Sequence, residues 1–248
     1  MQQQFTDKVA LVTGAGSGMG RATAILLAKR GMAITLVGRR ENRLADVAAE
    51  ITAAGGQALA VPADVSRPED NERAVTRTVE HFGALHYAVN NAGVSGTFTP
   101  LTEMTPEQWQ RTIDINLSSL FYGLTYEIPA ILEAGGGAIV NVSSVFADRG
   151  GPTPDYSSAK HAIRGLTRSA AIEFGSRGVR VNELQPGVID TEMTRANPER
   201  TQRVADTGIP MRRVGTGQEI ATAVAFLLSD DASYVNGSHL AVDGGFLA

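Results

Sequence analysis

Short, almost uninterrupted β-branched runs alternate with longer stretches of helical periodicity along the whole chain, and this alternation leaves few folds open. Strands are predicted at residues 9–12, 34–37, 58–61, 87–89, 139–142, 179–182 and 240–242. Helices are predicted from the glycine-rich turn to about residue 30, then over 42–54, Pro68–Phe82, 105 to about 134, 156–174 and 218–228. Strands that are apolar on both faces belong to a parallel sheet covered on both sides. Near residue 105, Thr105 can cap a helix, Pro106 suits its first turn and Gln108 can return the cap. With 248 residues the chain fits one α/β domain, spanning 1–248. The one long stretch of weak periodicity, 186–215, has a helical fragment at 198–206 and lies late in the chain, where a substrate-binding lid can sit.

Composition narrows the function. There is no cysteine, so disulfides, thiolate chemistry and cysteine metal sites are excluded, and no metal site is predicted. A net charge of -4 argues against a nucleic-acid or anionic-membrane partner, since either favours a basic face. No run of about 18 apolar residues is present, so no membrane span is expected. Residues 1–8 carry neither a basic region nor an apolar one, so a secretory signal is not expected and the predicted location is cytoplasmic.

The stretch Thr13-Gly14-Ala15-Gly16-Ser17-Gly18-Met19-Gly20 falls between the first strand and the first helix. Glycines serve there to turn tightly, to let backbone approach a pyrophosphate, and to pack helix on strand. The free amides of the helix N-terminus then face the negative charge. An ordinary surface turn is the alternative, but it needs no strand before it, helix after it or second strand about twenty residues on. The turn predicts dinucleotide binding by Gly14, Ser17, Gly18, Met19 and Gly20 on a Rossmann-type, doubly wound parallel β-sheet with helices on both faces.

Tyr156 and Lys160 are four apart in a predicted helix and therefore share a face. A phenol of pKa about 10 is a poor acid–base at neutral pH, and a nearby ammonium is expected to lower that value. With five tyrosines and three lysines in the chain, about 0.06 such pairs are expected by chance.

Taken together, these segments resemble the short-chain dehydrogenase/reductase family along essentially the whole chain. The resemblance is carried by Gly14/Gly18/Gly20, Asp64, Asn90-Asn91-Ala92-Gly93, Asn116, Ser143-Ser144, Tyr156-Ser157-Ser158-Ala159-Lys160, and Pro186-Gly187 with Thr191. It implies a carbonyl reductase or secondary-alcohol dehydrogenase in which Tyr156 exchanges a proton with the substrate oxygen and Ser144 hydrogen-bonds that oxygen. Lys160 would hold the cofactor ribose and tune Tyr156, and Asn116 would link Lys160 to a proton-conducting water. The resemblance further implies that Asp64 and Val65 meet adenine, Asn90 and Gly93 the adenosine ribose, and Pro186, Gly187, Ile189 and Thr191 the nicotinamide side. Asp64 has a plainer alternative, a turn leading into a helix. A homotetramer, or a dimer, is implied too. The span from Ser144 to Tyr156 is about one residue shorter than is common in the family, and Glu183 and Gln185 are unusually polar for their place before Pro186.

The end of the second strand selects the cofactor. An acid there would bind a ribose 2′-hydroxyl, whereas a 2′-phosphate needs cationic donors. Gly38 stands at the acid's position and Arg39 at the basic one, which predicts NADP(H); Arg40 reads as a solvated surface residue. The substrate is expected to be a small carbonyl or alcohol, with Val145, Phe146, Val188, Met193, Ile209 and Met211 available for an apolar pocket. Reduction of 3-oxoacyl groups on an acidic carrier protein stays open through Arg212-Arg213, although residues 119–148 hold no Lys or Arg. A sensor that binds dinucleotide without chemistry has no need of Asn116, Ser144, Tyr156 and Lys160 together. An enoyl reductase would set the lysine further from the tyrosine.

Overall fold

A computed structural model describes residues 4–248; the first three residues of the N-terminal stretch lie outside the described residues. Seven parallel strands form one sheet in the order β3-β2-β1-β4-β5-β6-β7. They are β1 (Val9–Thr13), β2 (Ala33–Gly38), β3 (Gln57–Pro62), β4 (Tyr87–Asn90), β5 (Gly137–Val142), β6 (Val179–Pro186) and β7 (His239–Val242). The helices are α1 (Gly18–Lys29), α2 (Glu41–Ala53), α3 (Pro68–Phe82), α4 (Pro106–Ile113), α5 (Ser119–Glu133), α6 (Pro154–Phe174), α7 (Glu192–Arg195), α8 (Pro198–Gly208) and α9 (Gly217–Leu228).

Side chains alternate along each strand, so one sheet supplies two cores. Ala10, Val12, Ile34, Leu36 and Val140 pack under α1, α2 and α9 through Leu27, Leu44, Val47, Ile51 and Val224. Leu11, Ala88, Ile139 and Val181 pack on the other face under α3, α5 and α6 through Val75, Leu124, Ile131 and Ala171. Among the described residues no helix is long and apolar enough to cross a membrane, and no His, Asp and Glu group is placed to hold a metal ion.

The structure refines three expectations. Thr105 and Gln108 form the capping box, at 3.3 and 3.0 Å, but the helix they start does not run straight to residue 134. A π turn over Asp114–Ser118 separates α4 from α5 and contains Asn116. Second, β6 continues four residues past the apolar run, to Pro186, because Glu183 and Gln185 are paired within the sheet. Third, the segment 186–215 contains the expected helical fragment, extended to Gly208, and more besides. It holds α7, capped by Thr191, and α8, capped by Asn197, and its ends meet in a parallel bridge between Ile189 and Gly215.

A string of buried polar groups crosses the second core. Asn90 Nδ2 donates to Glu127 Oε2 at 3.0 Å and to Asn141 Oδ1 at 3.1 Å, and Asn141 Nδ2 donates to Thr167 Oγ1 at 3.0 Å. Burial pushes the Glu127 carboxyl up to about 7, with the Asn90 hydrogen bond opposing it. An unfolded glutamate releases its proton near pH 4.3. Stability from the retained proton is therefore complete below about pH 4.3 and is lost as pH rises through about 7. Glu127→Gln keeps the shape without that proton. Its urea midpoint is expected to gain on the wild type between about pH 4.3 and about pH 7 and to run parallel above. Parallel profiles throughout would contradict this.

Candidate active site

Between β1 and β4 the strand order reverses, and the crevice beyond the strand ends is where open α/β sheets bind ligands. A cavity of about 520 Å³ opens there. Its mouth is pinned by Thr13, the last residue of β1. Thr13 Oγ1 accepts from the amides of Asn91 and Ala92 at 2.9 and 3.0 Å, and Asn91 Nδ2 returns to the Thr13 carbonyl at 2.9 Å. The chain then turns through Gly14 and Gly18, both in the left-handed region with φ of 66° and 54°, where a side chain would be strained. A β-carbon at Gly20 would collide with the Gly14 carbonyl, so glycine lets α1 press onto the turn. No side chain caps α1 and no acid stands in its first turn, which leaves its leading amides available to an anion. These features fit a dinucleotide pyrophosphate.

Most of the residues singled out from the sequence converge on this cavity. Gly14, Ser17, Gly18, Met19, Arg39, Asp64, Val65 and Gly93 line it from the β1–β4 side. Asn116, Ser144, Tyr156, Lys160, Pro186, Gly187, Ile189 and Thr191 line the remainder. Two residues do not. Gly20 serves packing, as described, and Asn90 turns its side chain into the buried string with Glu127 and Asn141. Asp64 forms the turn that its plainer reading implies, with Oδ1 accepting from the Ser66 amide and hydroxyl before α3, and it also lines the cavity. Of the apolar side chains expected around substrate, Met193 lines the cavity and Phe146 meets Tyr156 edge-on at 6.4 Å. Val145 and Ile209 are buried in packing, Met211 is largely exposed, and Val188 does not line the cavity.

Arg40 departs from its expected role. It ends the approach to α2 yet reaches across the cavity mouth, with Nη2 at 3.1 Å from both Ser17 Oγ and Glu192 Oε2. Arg39 lines the same rim with its side chain exposed. Two guanidiniums thus stand at the end of β2, where no carboxylate follows the strand before Glu41.

At the other end of the cavity, α6 begins with Pro154 in its first turn and presents Tyr156 and Lys160 on one face. Asp155 sets its position. Buried at the helix start, Asp155 accepts from Thr97 N at 2.9 Å, Thr112 Oγ1 at 2.7 Å and Tyr156 N at 2.8 Å, so the β4 loop and α4 both dock on it. Ser143 turns away, donating to the Lys160 carbonyl at 3.2 Å. Ser144 Oγ accepts from Phe146 N at 3.2 Å, and Ser144 and Tyr156 line the cavity together.

Electrostatics here differ from the simple cation–phenol pair. Burial dominates Tyr156 and pushes its phenol up, with the Ser144 hydroxyl opposing it. Lys160 Nζ lies 5.4 Å from the Tyr156 ring centroid and donates to the Val142 carbonyl at 3.0 Å, so it does not reach the phenol oxygen as a hydrogen-bond donor. Burial brings Lys160 down to about 8, with the Glu183 carboxylate opposing it. Asn116 donates to the Thr112 carbonyl at 3.1 Å and accepts from Val94 N at 3.2 Å, bracing the loop after β4.

The sequence assigns no role to Thr13 and Asn91 within their motifs, and none to Asp155. Their signals were present but ambiguous, because a polar strand end and an acid in a first helical turn are ordinary features of surfaces. The network around Glu183 was noticed only as unusual polarity.

Comparison with known proteins places this geometry. The family model described as enoyl-(acyl carrier protein) reductase matches residues 14–247. Cyclohexanol dehydrogenase of Acinetobacter sp. (strain SE19) is 45% identical over 247 residues, covering 99% of this chain and 97% of that protein. Levodione reductase of Leifsonia aquatica is 41% identical over 253 residues, covering 98% of this chain and 95% of that protein. A crystal structure of levodione reductase superposes with a TM-score of 0.92 at 40% identity, over 97% of this chain and 98% of that one. A short-chain dehydrogenase from Burkholderia cenocepacia J2315 in complex with NADP reaches a TM-score of 0.93 at 30% identity, over 99% and 100% of the two chains. With both sequence and fold matched over nearly their full length, the chain belongs to the short-chain dehydrogenase/reductase family.

Proposed function

We propose that the protein is an NADP(H)-dependent oxidoreductase that interconverts a ketone and a secondary alcohol, with Tyr156, Ser144, Lys160 and Asn116 as its working residues. The observation that carries this reading is the convergence of Asn116, Ser144, Tyr156 and Lys160 on one cavity that also contains the uncapped start of α1. When bound, the nicotinamide supplies or accepts the hydride. In the reducing direction Tyr156 Oη gives its proton to the carbonyl oxygen as that oxygen gains charge, and Ser144 Oγ holds the same oxygen in place. A phenol pushed up by burial keeps its proton at neutral pH, which suits a donor. Lys160, at about 8, is mostly cationic there and favours the phenolate left behind while holding the cofactor ribose. Asn116 supports the loop after β4 beside it. In the oxidising direction the same groups run in reverse.

The names of the relatives point to cyclic alcohols and ketones as the first substrates to try, cyclohexanol and cyclohexanone among them. Reduction on an acyl carrier protein is less well supported, because Arg213, one of the two arginines available to an acidic carrier, is tied to Glu219. Two further elements belong to the proposal. The segment 186–215 covers the substrate as a lid, and the chain assembles as a homotetramer or dimer. Phe121 on α5 and Ile172 on α6 favour assembly, since they expose 55% and 84% of their surface on outer helix faces.

Tyr156→Phe is expected to fold, to bind NADPH as the wild type does in a fluorescence titration, and to lose at least about a hundredfold in kcat. Near-normal turnover would overturn the assignment. The cofactor preference rests on the arginines and on Gly38, where a β-carbon would meet only Leu44 Cδ2, at 3.5 Å. Packing does not demand glycine there, so an acid could stand in its place. A charge-assisted hydrogen bond contributes about 1.5–3 kcal/mol, which is roughly 10- to 150-fold in affinity. By kcat/KM the wild type is expected to favour NADPH over NADH by about tenfold or more, and Gly38→Asp with Arg39→Leu to reverse this. A wild type that favours NADH would contradict the reading.

A further inference from the structure

Beneath the active site lies a cluster of charges that the reaction described above does not use. Glu183 and Gln185 on β6 are 1% and 0% exposed. Arg164, one helical turn beyond Lys160 on α6, donates through Nε to Glu183 Oε2 at 3.0 Å and through Nη1 to Asp148. Gln185 Nε2 donates to the other Glu183 oxygen at 3.0 Å. The remaining charged groups facing the cluster are Lys160 from α6 and His239 from β7, which stands opposite Glu183 in the sheet.

Asp148 is the informative member. It closes the short 3₁₀ turn Val145–Ala147 that Ser144 opens, and Phe146 within that turn packs edge-on against Tyr156. One side chain, Arg164, therefore ties the far end of this turn to the strand β6 and to the helix that carries Tyr156 and Lys160. A guanidinium fork can hold two carboxylates at fixed angles, which a lysine cannot.

Asp148 lies at the exposed edge of the cluster, and for the buried Glu183–Arg164 pair stability alone gives no reason. Buried ion pairs are often matched or bettered by apolar residues of similar volume, because desolvation offsets the attraction. Among the described residues Arg164 Nη2 and Gln185 Oε1 are buried and make no hydrogen bond within the protein. Its geometric product is a fixed wall beside Tyr156.

We propose that Arg164 is a positioning residue: by clamping Asp148 to Glu183 it holds Ser144 and Phe146 in register with Tyr156. The proposal rests on the reading of Ser144 and Tyr156 as the groups that meet the substrate oxygen. Two variants test it, Arg164→Met and the triple variant Arg164→Met with Asp148→Asn and Glu183→Gln, which removes the carboxylates left without a partner. Thermal unfolding, amide hydrogen exchange over residues 145–151, NADPH affinity, and kcat and KM for cyclohexanone would be measured on both. In Arg164→Met, exchange over 145–151 is expected to quicken by about tenfold or more and kcat to fall by about 10- to 100-fold, while NADPH affinity stays within about twofold. In the triple variant the unfolding temperature is expected to recover, with exchange still fast and kcat still low. A triple variant that regains wild-type protection over 145–151 would overturn the proposal whatever its kcat, since Arg164 would then only neutralise charge and the loss of Glu183 also acts on Lys160. Should Arg164→Met fail to fold, the triple variant decides alone. The exchange measurement needs no turnover, so it judges the clamp even if the Tyr156→Phe result overturns the catalytic reading.

Discussion

Thr13 stands where β1 and β4 part company, and its hydroxyl takes two amides from the chain leaving β4 while Asn91 returns to its carbonyl. The ladder that joins these strands ends at Val12 and Val89, and beyond it the connections diverge to opposite faces of the sheet. With the ends pinned, the glycine turn can rise over β1 and present the uncapped amides of α1 to one side of the crevice. The same pin orients the loop after β4, which Asn116 and Asp155 then hold against α4 and α6. The position of Tyr156 relative to the α1 amides therefore depends on a short series of side-chain to backbone bonds running from β1 to α6.

Most of this was legible in the residues. Uninterrupted apolar strands imply a parallel sheet, and the glycine turn after the first of them marks the crevice. The i, i+4 pair of Tyr156 and Lys160 names the opposite wall. What could not be read was direction. Asn90 and Asn91 are adjacent and chemically identical, yet one faces the buried Glu127 and the other returns to Thr13, because side chains alternate as the strand ends. Arg39 and Arg40 differ in the same way, and only the fold shows that Arg40 reaches across to Glu192. The π turn at Asn116 is equally silent in a pattern that reads as continuous helix.

Electrostatics gave the largest departure. Spacing alone suggests that Lys160 lowers the Tyr156 pKa, but helical neighbours share a face without necessarily sharing a hydrogen bond. Here Lys160 is held by the Val142 carbonyl and by the field of Glu183, and burial governs Tyr156. The unusual polarity of Glu183 and Gln185 becomes intelligible in the same terms, since both lie under α6, against Arg164 and near Lys160. A strand that approaches an active site with buried carboxylates must supply their counter-charges from the helix above it.

The central claim is that hydride passes to a carbonyl carbon in the crevice while Tyr156 serves its oxygen. The most direct measurement follows the hydride itself, using NADPH deuterated at the transferring position of the nicotinamide, with cyclohexanone as acceptor. Mass spectrometry and NMR of the product alcohol should find a single deuterium, on the carbinol carbon, in step with cofactor consumed. Cofactor oxidation that leaves the alcohol unlabelled would contradict the account.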